Sequence, residues 1–108
     1  MLATDTTTLS DIIIQCFDYS MDGRFSPNQR TAFLMDGKRL RGLLLNLLSA
    51  RFAEGTQAVL DANKQLTDIN EELANSAETL AHTAEVLDGV ATLVANLDKL
   101  LSLATSFL

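Results

Sequence analysis

Along the second half of the chain, apolar residues return at alternating steps of three and four. Stepping from Leu45 reaches Leu48, Phe52, Gly55, Val59, Ala62, Leu66, Ile69, Leu73, Ser76, Leu80, Thr83, Leu87, Val90, Val94, Leu97, Leu101, Ala104 and Leu108. Sixteen of these nineteen positions are apolar in a chain that is 47% apolar throughout. A repeat of this period marks a helix that packs against other helices. Gly55 and Thr56 could be the C′ residue and N-cap of a tight turn, but the row passes Gly55 in phase, which favours a continuous or merely kinked path there. In either case one long third helix is expected over 56–107. With Leu73 as heptad position a, Ser76 and Thr83 stand at d, where small polar side chains let helix axes approach and fix register. From residue 86 the stripe widens, because Val86, Leu93, Leu100 and Phe107 fill position g. A face that broad needs at least two neighbouring helices.

Two shorter helices precede it. Residues 1–7 read as a flexible lead. Leu9, Ile12, Ile13, Cys16 and Phe17 form one apolar stripe, predicting a first helix over 8–22 with Thr8 and Asp11 as its capping box. Gly23 is placed to end it in a left-handed conformation. Ser26-Pro27-Asn28-Gln29 offers an N-cap serine, a proline at the first helical position and a capping-box glutamine. The second helix that starts there, over 26–54, is apolar on a broad face from Ala32 to Phe52, which implies burial on more than one side. Gly37 and Gly42 each cost about 1 kcal/mol against alanine inside a helix and permit close approach of a neighbour.

The expected fold is therefore all-α, a helical hairpin or bundle with a long C-terminal heptad-patterned helix. A straight helix over 56–107 spans about 78 Å, and the second helix covers roughly half of that. The overhang is the most apolar part of the chain, which favours self-association over a monomeric three-helix bundle, a two-fold dimer being the expected way to complete the bundle. The interface expected for it comprises Leu73, Leu80, Leu87, Val90, Leu93, Val94, Leu97, Leu100, Leu101 and Phe107.

Composition narrows the picture. With 108 residues and 20% charged side chains, the chain is one soluble globular domain. Its net charge of −6 is a poor basis for nucleic-acid binding. The charge is unevenly spread, however. Residues 24–51 are basic, whereas 1–23 and 53–108 are acidic. Pairing of the basic segment with acidic helices of the same chain is expected, a second copy being the other candidate. Cys16 is alone and sits on an apolar stripe, so it reads as a small buried hydrophobe. The N-terminal residues lack a charged and an apolar signal region, and a cytoplasmic, reducing location follows as the default. No apolar run is long enough for a membrane span.

Candidate chemistry is sparse. Asp18, Ser20, Asp22, Gly23, Phe25 and Ser26 fall at loop positions 1, 3, 5, 6, 8 and 9 of a string that resembles the calcium loop of an EF-hand. The resemblance implies side-chain oxygens from Asp18, Ser20, Asp22 and Ser26, and the carbonyl of Arg24. Gln29 stands where the family places a bidentate glutamate, so any calcium binding is expected to be weak. Gly37-Lys38-Arg39-Leu40-Arg41 resembles a segment of polyprenyl synthases, whose aspartate-rich motifs are absent here. His82 has no partner at ligand spacing. Glu71, Glu78 and Glu85 recur at heptad position f, a solvated face. No catalytic residue and no cofactor is expected beyond that weak calcium. The reading that results is a non-enzymatic helical oligomerisation, adaptor or scaffold protein. Its alternatives are a calcium-responsive module at Asp18–Gln29 and a lipid-associated amphipathic helix over 86–108.

Overall fold

Ser26 shows directly how the sequence sets an element. Its hydroxyl accepts a hydrogen bond from the Gln29 amide at 3.2 Å, and Gln29 Oε1 accepts one from the Ser26 amide at 3.1 Å. This is the expected capping box, and it opens helix α2, Pro27–Leu47. The structure, a computed structural model, describes residues 3–53, 56–76 and 78–107, the last two without their side chains.

Helix α1 runs over Thr6–Ser20. Its N-cap is Asp5 and not Thr8, because the Asp5 carboxylate accepts from the Thr8 amide at 3.1 Å and from its hydroxyl at 2.7 Å. Met21, with φ −109°, caps the other end, so the helix stops before Gly23 without a left-handed residue.

Helix α2 ends at Leu47, short of the expected 54. A turn at Leu48 and Ser49 follows, and the chain is then extended, strand β1, Ala50–Arg51, pairing antiparallel with strand β2, Ser106–Phe107. Ala50 and Phe52 are fully buried there. An extended path is what turns both into the core, so the expected helical continuity into the next element is corrected. Gly55 itself lies outside the described residues.

The larger correction concerns the long third helix. Helix α3, Gln57–Ser76, stops, a 3-10 turn covers Leu80–His82, and helix α4, Thr83–Leu101, runs back beside α3. Asn96 Nδ2 donates to Gln65 Oε1 at 3.1 Å across that hairpin. The greatest extent of the molecule is 42 Å, well short of a straight 56–107 helix. Folding back lets one apolar half of the row cover the other, and the overhang that called for a second chain disappears.

Helix α1 packs on α2 and α3, while α4 packs on α2 and α3, which leaves α2 diagonal to α3. Helices α1 and α3 run in the same direction. The Asp5 amide donates to Asn63 Oδ1, Gln15 Nε2 to Asn70 Oδ1, and the Tyr19 hydroxyl to the Leu73 carbonyl, each pair further along both helices. Tyr19, Phe25 and Phe33 close that end as a triangle of rings with centroids 5.0, 5.3 and 5.2 Å apart.

The predicted small polar d positions are core residues. Ser76 and Thr83, buried on either side of the turn, donate to the Glu72 and Leu80 carbonyls at 3.0 and 2.8 Å. Both hydroxyls are thus satisfied locally and cost little to bury. Gly89 leaves room for the Ile69 side chain between α3 and α4, since a Cβ there would lie 2.9 Å from Ile69 Cδ1.

The two glycines of α2 differ in the same respect. A Cβ at Gly42 meets nothing within 4 Å, whereas one at Gly37 would lie 3.1 Å from the Phe17 ring. Gly42→Ala is therefore expected to stabilise the protein by about 0.5–1 kcal/mol. Gly37→Ala forfeits that gain and Gly37→Val is net destabilising. Urea midpoints of the three variants, compared with wild type, check the ordering.

Candidate functional site

Most of the residues expected to form an interface lie inside the fold. Leu73, Val90, Leu93, Leu97 and Leu100 are buried in the core of the chain's own bundle. Leu87, Val94 and Leu101 are partly buried against that core. Leu80 is exposed on the 3-10 turn, and Phe107 lies in β2. The row is a real helix seam, and α1, α2 and α3 supply its partners. For the same reason the apolar face of residues 86–101, the stretch of the lipid-associated alternative, is turned into the core.

The EF-hand-like residues are not brought together as a loop. Asp18 and Ser20 are still within α1, and the Ser20 hydroxyl donates to the Phe17 carbonyl at 2.6 Å. Asp22 is gripped by Arg24, whose Nε and Nη2 donate to its carboxylate at 3.0 and 2.6 Å. That guanidinium holds the Asp22 carboxyl down at about 2. Ser26 and Gln29 are spent on each other in the capping box. A cation has to displace Arg24 before it meets the Asp22 carboxylate. No group of three or more His, Cys, Asp or Glu arranged for a metal ion occurs among the described residues.

Two buried ionisable groups face each other in the core. Cys16 is fully buried, and burial together with the nearby Asp36 pushes its thiol up to about 12, so it is a neutral hydrophobe and a poor nucleophile. Asp36 is 6% exposed and finds only Arg39 Nη1, at 3.7 Å. Burial raises its carboxyl above the usual value, with Arg39 opposing. A raised carboxyl holds its proton better in the folded chain. The stability this gives is complete below the unfolded value near 3.8 and is lost as pH rises through the folded one. Asp36→Asn is accordingly expected to raise the thermal midpoint at neutral pH and to change it little near pH 3, which scanning calorimetry at the two pH values checks.

What the bundle displays is concentrated on one hairpin. Among the described residues nine large apolar side chains are exposed, and six of them, Ile14, Met21, Leu34, Met35, Leu45 and Leu48, belong to α1, α2 or their caps. Ile14 and Met21 share an α1 face with Phe17. Leu34, Lys38, Arg41, Leu45 and Leu48 follow one another on α2 at steps of four and three, the outer face of that helix. Leu45 is 67% and Met21 76% exposed, too much for chance edges of a core. Arg41 lies over the Phe17 ring, 5.5 Å from its centroid, and so joins the two rows.

The charges on this hairpin are segregated. Helix α1 carries Asp11 and Asp18 and no basic residue. Helix α2 carries Arg30, Lys38, Arg39 and Arg41, and its one acid, Asp36, is buried. The expected pairing of the basic segment with the chain's acidic helices is made only locally. Its ion pairs are Arg24 with Asp22 and Arg39 with Asp36, and Lys38 and Arg41 have none among the described residues. The sequence pattern hides this surface because Leu45 and Leu48 fit the heptad row as core residues do. Ile14 and Met21, off the first stripe at a step of seven, were the available signal. Shallow grooves flank the bundle: Ile14 and Asp11 border one shared with Asn70 and Ala74 of α3, and the one between α2 and α4, of about 450 Å³, is floored by the small residues Gly42, Ala91 and Ala95.

Comparison of the chain with protein-family models, with curated proteins and with solved structures returned no match. No described helix is long and apolar enough to cross a membrane.

Proposed function

We propose that this chain is a non-enzymatic helical adaptor that works by docking partner helices onto the outer face of the α1–α2 hairpin. One observation carries the reading: Ile14, Met21, Leu34, Leu45 and Leu48 are exposed on that one side, interleaved with Lys38 and Arg41. Contiguous exposed apolar patches with a polar or charged rim mark protein-interaction surfaces. Arginine and large apolar side chains at the centre of such patches supply most of the binding energy. The rest of the bundle then serves as a rigid support. The heptad seam, first expected to be the interface, holds that support together.

A photo-cross-linking residue placed at Leu45, with a control at Asp68 on α3, tests the proposal inside the cell that makes the protein. Protein adducts are expected from position 45 and not from 68. Absence of adducts at 45, or equal yields from both positions, refutes it.

A further inference from the structure

The adaptor reading leaves open what covers the hairpin, and the inference drawn here rests on that reading. We infer that the partner is a second copy of this chain, docked so that α1 of each copy lies on α2 of the other about a two-fold axis parallel to the helices.

One outer helix face of the hairpin is acidic, with Asp11 and Asp18 exposed on α1, and the other is basic, with Lys38 and Arg41 exposed on α2. A face of that kind is its own electrostatic complement, which is the condition for an isologous contact. A two-fold axis can lay the face on its copy in two ways. An axis across the helices stacks α1 on α1 and α2 on α2, acid on acid and base on base. An axis along the helices places α1 on α2 twice. Like charges juxtaposed across an interface are strongly unfavourable, so the second arrangement is selected.

Register gives independent support. Within the hairpin Phe17 sits at the level of Gly37, its ring next to the space a Cβ there would take. The helices are antiparallel, so Asp18 lies near the level of residue 36 and Asp11 near that of residue 43. An axis along the helices preserves level. Lys38 and Arg41 of one copy then fall between Asp18 and Asp11 of the other, within reach of their long side chains. Leu34 meets the level of Met21 in the same register, so apolar contacts and charge pairs are made together. An anionic membrane is the other surface that a basic, apolar helix face can suit. The adjacent Asp11 and Asp18 and a net charge of −6 oppose it.

The test is sedimentation equilibrium on wild type, on Lys38→Glu/Arg41→Glu, on Asp11→Lys/Asp18→Lys and on an equimolar mixture of the two variants. Far-UV circular dichroism of each first confirms unchanged helicity. Wild type is expected to be a dimer at tens of micromolar. Each variant alone should self-associate at least about tenfold more weakly, and the mixture should dimerise again because both contacts are then between opposite charges, one with its native signs and the other with its signs exchanged. A monomeric wild type, variants that dimerise as well as wild type, or a mixture that stays monomeric overturns the inference. So does a monomer that floats with phosphatidylserine vesicles. If position 45 nevertheless cross-links to another protein in the cell, the adaptor reading stands and only the second copy is wrong.

Discussion

A chain ended after His82 is expected not to fold. The deletion removes Val86, Val90, Leu93, Leu97 and Leu100, all buried, and strips the apolar faces of α2 and α3 that they cover. Burial of five such side chains contributes roughly 7–15 kcal/mol. Domains of this size have about 5–15 kcal/mol in total, so nothing remains to offset the entropy of ordering the other three helices. Far-UV circular dichroism should show most of the helix lost and thermal denaturation without a cooperative transition. A truncated chain that melts cooperatively would mean that α1, α2 and α3 form a core by themselves, contrary to the packing described above.

Phe33→Ala is the point substitution with the largest expected effect. The ring is fully buried and packs edge-on against both Tyr19 and Phe25. Its removal leaves a cavity at the end where Tyr19 ties α1 to α3 through the Leu73 carbonyl. A loss of about 3–5 kcal/mol is expected. In a domain of this length that lowers the thermal midpoint by ~15 °C or more. The neighbouring Leu34→Ala, at a side chain 36% exposed, should change stability by less than about 0.5 kcal/mol. Calorimetry on the two variants separates a core position from a display position one residue apart. Equal effects would mean that the inward face of α2 is wrongly assigned.

Much of this fold was legible from side-chain pattern alone. The all-α class, the stripe Leu9–Ile12–Ile13–Cys16 and the start of α2 at Ser26 follow from short-range rules that tertiary structure leaves untouched. The heptad row over Val59, Ala62, Leu66, Ile69, Leu73 and Ser76 is buried as its spacing requires. The turn after Ser76 was hidden for a physical reason. Ser76 and Thr83 are seven residues apart and both face the core. A straight helix and a folded-back one therefore show the same phase. Neither glycine nor proline marks the break, and Ala81, Glu78 and Leu80 are all good helix formers.

One trace of the turn was present. On α4 the buried positions are Thr83, Val86, Val90, Leu93, Leu97 and Leu100, so the seam passes from a and d to d and g. The widening at Val86, read as a demand for more neighbours, is that change of face. The display surface was less legible still. Leu45 and Leu48 carry the same apolar signature as core leucines, and only the end of α2 at Leu47 and the turn of its face decide that they point outward.

The fold-back of the heptad-patterned half is the claim on which the rest depends. The most direct measurement is the distance between spin labels at Asp61→Cys and Lys99→Cys in a Cys16→Ala background, diluted in excess unlabelled chain so that only distances within one molecule contribute. Asp61 and Lys99 line the same groove between α3 and α4, so a single narrow distance below about 20 Å is expected, the reach of two labels on neighbouring helices. A distance near 57 Å, the length of an unbroken helix between those residues at about 1.5 Å each, would contradict the fold described here.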